Sequence, residues 1–326
     1  MARAKVIDHY VALKEDKEGL GVLGVIVWFS IGDMRVPRKA LEDAFKKYKI
    51  PDEYMPHPLR PVDAFRKATK SIEKTFHKRN KKGEVTEEIT ILVRETITGE
   101  KKVIRRLVKE VKIPSKDRLS YETEFGRAVF HRDNTRVVVE IKDPEYTWVE
   151  DKILWEYEVF KNSYDGNGIR RMVRNILYQQ RPIMMRPAGS VYFIPRENQK
   201  IVYKLADMVN ELAKSYASSL WETIFLITPF LDISQNRDLV VTRWKLYVKE
   251  TLEKVYKEFK EKYEKGKLNK KEVEQYKKLL EKIAEQNAFY GKSLKTQIKS
   301  VENMLTDLSS KLLEVKLAEV SVNGEK

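Results

Sequence analysis

Residues 169 to 181, IRRMVRNILYQQR, read as a helix with two unlike faces. At 100° per residue, Ile169, Met172, Val173 and Ile176 fall on one side, while Arg170, Arg171, Arg174, Tyr178 and Arg181 share an arc of roughly 100° opposite. Guanidinium groups around one aromatic ring suit phosphates and stacked bases, because the arginine fork matches anionic oxygens and its plane stacks on π faces. The preceding run, Tyr164-Asp165-Gly166-Asn167-Gly168, supplies two glycines through which backbone N–H groups can meet an anion at the positive end of the helix. A plainer account stands beside this one. Glu150, Asp151, Glu156 and Glu158 lie just upstream and can neutralise the arginines in an ion-pair network, and Asp165 or Asn167 can serve simply as an N-cap.

Further cations extend the same chemistry. Arg186 and Tyr192 follow the helix closely, Lys78, Arg79, Lys81 and Lys82 belong to an expected exposed loop, and Lys101, Lys102, Arg105 and Arg106 lie on an expected hairpin. Tyr192 and Phe193 point to opposite faces of a strand, so at most one can stack on a ligand while the other fills the core. The candidate nucleic-acid contacts are therefore Gly166, Asn167 and Gly168 at the helix start, Arg170, Arg171, Arg174, Tyr178 and Arg181 on its face, and Arg186, Tyr192, Lys78, Arg79, Lys81, Lys82, Arg105 and Arg106 outside it.

Catalytic sets with specific spacing are missing from the sequence. There is no cysteine, which removes disulfides, thiolate zinc sites and a thiol nucleophile, and His9, His57, His77 and His131 show no metal-ligand spacing. Gly19-Leu20-Gly21-Val22-Leu23-Gly24 matches the dinucleotide fingerprint in letters, but strand formers follow it where a helix is required. Asp33, Asp63, Asp143, Glu145, Asp151 and Asp165 could gather around a metal ion, although caps and salt bridges account for each of them. No cofactor is expected, and the chain leans away from enzyme chemistry.

Charge points the same way as the helix. The 326 residues carry 64 Lys plus Arg against 49 Asp plus Glu, a net charge of +15 whose long-range field attracts polyanions. With 42% hydrophobic residues the chain can bury a core of one large domain or two, so it is not a disordered protein. Heavy use of Lys and Glu with no Cys suits a protein from a hot environment. The charged opening MARAKVIDHYVALKED lacks the apolar stretch of a signal peptide, and no apolar run is long enough to span a bilayer, so a cytoplasmic protein without membrane partners is expected.

The elements that must hold these residues follow from periodicity. A buried strand is expected at 22–31, short helices from Pro37 and from Pro61 with a stiff proline-rich loop between them, and a hairpin turning at Thr98-Gly99-Glu100. A second hairpin turns at Arg132-Asp133-Asn134; a helix over 148–160, the arginine-faced helix, a strand at 190–195, a helix over 197–217 and a strand at 220–228 follow. This makes residues 1–233 an α+β body with a mostly antiparallel sheet and flanking helices. Residues 234–326 read as a long C-terminal α-helical, coiled-coil-like hairpin arm. Val241, Trp244, Val248, Leu252, Val255 and Phe259 mark its first stripe. Asn269 with Glu272 caps a second helix, whose stripe runs from Val273 through Asn287, Tyr290 and Leu294 to Val315. One 4-4 step around Leu294 resembles a stutter, and an unbroken second helix would approach 70 Å at about 1.5 Å per residue. Asn287 at a core position fits register control, or faces water where the stripe drifts. A homo-oligomer through these helices and an intramolecular arm are both open.

Three stretches together resemble a family, without a known activity, found in tailed bacteriophages and archaeal mobile elements. They are Trp28-Phe29 with Val36-Pro37-Arg38, then Arg60-Pro61-Val62-Asp63-Ala64-Phe65-Arg66-Lys67-Ala68-Thr69, and Gly189-Ser190-Val191-Tyr192-Phe193-Ile194-Pro195. The resemblance covers residues 25–230 and transfers no functional residue. It implies a context of replication, recombination or packaging of an element's own DNA. The expected function is non-enzymatic and largely non-sequence-specific binding of nucleic acid, in the first place DNA. A metal-dependent enzyme acting on nucleic acid and an assembly protein working through its helical arm are the alternatives.

Overall fold

The computed structural model describes residues 5–7, 10–12, 21–113, 118–186, 189–265 and 268–310. In chain order the elements are β1 (Lys5–Ile7), β2 (Tyr10–Ala12), β3 (Val22–Ser30), β4 (Arg35–Pro37), α1 (Arg38–Tyr48), α2 (Pro61–Lys70), β5 (Lys74–Arg79), β6 (Val85–Thr98), β7 (Lys102–Ile113), β8 (Arg118–His131) and β9 (Val137–Ile141). They continue with α3 (Trp148–Lys161), β10 (Ser163–Asp165), α4 (Gly166–Gln179), β11 (Ile183–Met184), β12 (Val191–Pro195), α5 (Gln199–Tyr216), β13 (Ile224–Leu231), α6 (Ser234–Glu264) and α7 (Lys270–Ser293). The result is a mixed α/β chain with antiparallel sheets, in which β13 beside β2 is a parallel pairing.

The six-stranded sheet has the order β1-β2-β13-β3-β12-β11, so β3 lies inside it between β13 and β12. Side chains alternate along β3. Val25, Val27 and Phe29 enter one core with α1, α4 and α5, while Ile26 meets Phe193 and the C-terminal helices on the other side; Leu23 joins that second cluster because the register shifts beside it, between Phe230 and Leu231 of β13. The first part of the strand is covered on both faces and is apolar throughout, whereas burial alternates at its end, where Trp28 and Ser30 are exposed. Gly24 pairs with Pro195, and a Cβ there would meet the Phe193 ring at 2.8 Å. The last glycine of the dinucleotide-like run thus serves close packing inside a strand, with no helix behind it.

The five-stranded sheet β5-β6-β7-β8-β9 is a meander with its own core. Phe65 and Ala68 of α2 and Ile153 and Tyr157 of α3 cover Ile91, Leu107 and Phe130. Strand β5 was not expected from the sequence. Lys78 and Arg79 end that strand, and the turn is Asn80 to Gly83, where Asn80 Oδ1 accepts from the Lys82 N–H at 2.9 Å and Gly83 takes φ 83°. Strand β13 likewise begins at Ile224 rather than at Leu220, leaving Trp221 94% exposed in the preceding loop.

Val240, Trp244, Val248, Leu252, Val255 and Phe259 form the buried stripe of α6, with Val240 in the place expected for Val241. α7 starts at the expected capping box, Asn269 and Glu272 exchanging side-chain and backbone bonds. Asn287 does not face water. It is 4% exposed and its Oδ1 accepts the indole N–H of Trp244 at 2.9 Å, joining α6 to α7. The ring of Tyr276 stands edge-on to Phe259 at 5.8 Å and Lys262 pairs with Glu272 at 2.8 Å.

The unbroken second helix is not formed. α7 stops at Ser293 and helical backbone resumes over 299–310. Lys295 takes φ 51°, its N–H donates to the Lys292 carbonyl at 3.2 Å, and the Thr296 N–H donates to the Gly291 carbonyl at 3.0 Å. Those two bonds are a Schellman closure. The 4-4 step is therefore where the chain leaves one helix and enters the next, with Leu294 and Ile298 buried in one cluster. The positions expected for Leu312 and Val315 lie outside the described residues.

Replacing Asn287 by Leu orphans a buried indole N–H, which costs about 1–3 kcal/mol. Urea unfolding of Asn287→Leu is expected to show a lower midpoint with an unchanged slope; an unaltered midpoint contradicts the bond's structural role.

Candidate functional site

The arginine-faced helix is α4. Ile169, Met172, Val173, Ile176 and Leu177 repeat at helical spacing and are buried against the six-stranded sheet's core. The helix ends because Arg181 takes φ 53° and Pro182 cannot continue it. Its start is set by β10, whose Tyr164 and Asp165 pair with Val36 and Arg35 of β4. Asp165 then caps α4, Oδ1 accepting from the Gly168 N–H at 2.8 Å, and its other oxygen pairs with Lys67 of α2. Burial pushes the Asp165 carboxyl up, but Lys67 and the Gly168 N–H outweigh it and hold the group below the usual carboxylate range.

This start corrects one expectation. The positive end of α4 already holds the chain's own carboxylate, and Gly166 lies against the carbonyl of Gly32 with no room for a Cβ. Gly166 and Gly168 are buried packing positions, and Asn167 bonds Arg170 at 2.5 Å. The three residues do not form an open anion nest.

The arginines divide. Arg170 turns back along the helix, donating to Asn167 Oδ1 and to the Ile31 carbonyl, so it fastens α4 to the end of β3. Arg181 lies beyond the helix with its guanidinium 4.4 Å from the Phe289 ring centroid, and its carbonyl accepts from Tyr290 Oη at 2.9 Å. It belongs to the contact with α7. Arg171 and Arg174 are exposed, and among the described residues neither makes an ion pair. Two of the four upstream acids are engaged elsewhere, Glu156 with Arg35 at 2.9 Å and Glu158 with Lys161 at 3.2 Å. Tyr178 is 51% exposed and stands edge-on to Tyr192 at 6.3 Å.

Tyr192 and Phe193 do take opposite faces, but both are buried, because helices cover the sheet on both sides. At 3% exposure Tyr192 offers no face to a ligand. Burial and the neighbouring Tyr178 hydroxyl raise its hydroxyl pKa, against the smaller opposing effect of the Arg174 charge. Arg105 is a structural cation: it donates to the Arg66 carbonyl at 2.8 Å and to Thr69 Oγ1 at 2.6 Å, fastening α2 to β7. Arg106 sits 3.5 Å from Glu124, Lys78 lies between Glu87 and Glu145, and Arg79 donates to the Gly83 carbonyl. Lys81, Lys82 and Arg186 are exposed, and no contact among the described residues joins them to α4.

Beside the exposed stripe of α4 opens a groove of about 780 Å³. Arg171, Asn175, Tyr178 and Gln179 form one wall, and the proline-rich loop at 51–60 supplies the other with Tyr54 and His57. The Tyr164 hydroxyl donates to the Pro56 carbonyl at 2.9 Å and ties that loop to β10. Lys67, Asp165 and Phe160 close the inner end, with the Lys67 ammonium 5.9 Å and the Arg35 guanidinium 4.4 Å from the Phe160 ring centroid. The sequence reading missed Asn175, Gln179 and Lys67. Asn175 and Gln179 follow Arg171 at the same four-residue step, so helical spacing alone could have found them. Among the described residues no three carboxylates or histidines converge as a metal site, and no helix is long and apolar enough to cross a membrane.

Gly166→Ala forces a methyl group into the Gly32 backbone, an overpacking that costs about 1–3 kcal/mol or more. Thermal unfolding is expected to show a lowered midpoint; a variant as stable as the parent contradicts the close approach of α4 to the β3–β4 connection.

No curated protein and no solved structure matches the chain. The model of a family described as "Family of unknown function (DUF6744)" matches residues 22–321, a span that runs from β3 through α7 and leaves out β1 and β2. The chain belongs to that family.

Proposed function

We propose that this protein binds nucleic acid, in the first place DNA, through the exposed side of α4, and that binding is largely electrostatic and weakly sequence-specific. The observation that carries this reading is the pair Arg171 and Arg174: exposed, without an ion pair among the described residues, and respectively two turns and one turn of helix from the half-exposed ring of Tyr178. The plainer account, neutralisation by the four upstream acids, is weakened because Glu156 and Glu158 pair elsewhere and no ion pair among the described residues joins Glu150 or Asp151 to α4. The net charge of +15 supplies the long-range attraction. The resemblance suggests a part in replication, recombination or packaging of a virus's or mobile element's DNA, and a cytoplasmic location is compatible with that part.

A second reading has one observation of its own. Leu239, Leu246, Tyr247 and Tyr256 of α6 are large and exposed, which suits a C-terminal helical hairpin that assembles copies of the chain. Concentration-dependent association in sedimentation, without DNA and unchanged by Arg171→Ala plus Arg174→Ala, would favour it. The metal-dependent enzyme has no such support. Asp63 pairs with Arg60 at 2.6 Å, Asp143 with Lys109 at 3.2 Å, and Asp165 with Lys67.

Fluorescence anisotropy with labelled DNA across a salt series tests the binding reading. Each phosphate contact contributes about 0.7–0.9 to the log–log slope, so Arg171→Ala plus Arg174→Ala is expected to weaken binding and to flatten the slope by roughly 1.4–1.8. Absence of DNA binding at low salt, or a wild-type affinity insensitive to salt, overturns it.

A further inference from the structure

We infer that the groove beside α4 receives an unpaired nucleobase, so that the ligand is a single strand rather than a duplex; this rests on the nucleic-acid reading above. The charge distribution sets the orientation. Inside the groove Lys67 is neutralised by Asp165, which stays ionised, and Glu53 lines the loop wall. A phosphate is repelled from both places. Arg174, outside the groove lining, and Arg171, on its α4 wall where its charge also acts on Asp165, make no ion pair among the described residues, and this α4 side is where phosphates belong.

What remains in the groove is suited to an uncharged aromatic edge. Asn175 and Gln179 are exposed side-chain amides without a hydrogen-bond partner among the described residues, and each offers both donors and an acceptor. Two such groups one turn apart can meet a base edge of any pattern. Tyr178, on the same wall, supplies a face for stacking, and stacking is tolerant of base identity. At about 780 Å³ the space lies within the range of sites that enclose small organic molecules. A base inside a duplex cannot enter it, since its edge is paired and its faces are stacked; a base splayed from a single strand can. DNA and RNA strands share this chemistry.

The test compares one 12-nucleotide sequence, fluorescently labelled, as a DNA strand, as an RNA strand and as a DNA duplex, by anisotropy at fixed low salt. The wild-type protein is expected to bind one or both single strands at least ~10-fold more tightly than the duplex, and the tighter strand identifies the source. Tyr178→Ala is expected to lower single-strand affinity roughly 5- to 100-fold while duplex affinity changes little, and Tyr178→Phe, which keeps the ring, is expected to restore it. Equal binding of strand and duplex, or equal losses for both in Tyr178→Ala, overturns the groove assignment and leaves the electrostatic reading intact. Failure of every nucleic acid to bind removes both.

Discussion

The approach of Gly166 to the Gly32 carbonyl, closed by Asp165 and Lys67, decides where α4 lies, and α4 carries the candidate site. Asp165 is the last residue of β10 and the cap of α4, so one carboxylate ends a strand, starts a helix and receives a lysine from α2. That lysine belongs to the helix packed on the five-stranded sheet, whereas α4 packs on the six-stranded one. The junction therefore binds the two cores together at the groove they share. Arg35, paired with Glu156 of α3 and stacked over Phe160, reinforces the same seam from β4. A charged pair at such a place is valuable less for net stability than for fixing one arrangement, since removing one partner leaves the other charge partly buried and uncompensated.

The second constraint is that the six-stranded sheet is covered on both faces around Tyr192 and Phe193 of β12. Alternation then sends Tyr192 to one core and Phe193 to the other, and neither remains for a ligand. The same covering explains Arg181. Its left-handed backbone and the following proline turn the chain toward α7, where the guanidinium meets Phe289 and the carbonyl meets Tyr290. What the packing leaves to solvent on α4 beyond its first turn is Arg171, Arg174, Asn175, Tyr178 and Gln179, a less charged face than the expected arc of four arginines and a tyrosine.

Local features were legible in the sequence. The apolar stripe of α4, Pro61 at the first turn of α2, the hairpin turns and the Asn269–Glu272 capping box depend on residues within a few positions of each other. Choices made by distant partners were not. Nothing within the arginine-faced segment tells that Arg170 will find the Ile31 carbonyl, that Asp165 will prefer Lys67 to solvent, or that Glu156 will serve Arg35. The groove's far wall comes from a loop more than a hundred residues earlier, attached by the Tyr164 hydroxyl to Pro56. The break after α7 stood in between: its 4-4 step was visible, but a stutter and a Schellman closure produce the same spacing of apolar residues.

The central claim is that nucleic acid meets the protein on the α4 wall of the groove. The most direct measurement is zero-length photocrosslinking of the full chain to a strand carrying 5-iododeoxyuridine, followed by peptide mapping. The account predicts that the crosslinked aromatic residue is Tyr178, or Tyr54 across the groove. Crosslinks confined to other surfaces, such as the Trp221 loop or the tip of α6 and α7, would contradict it.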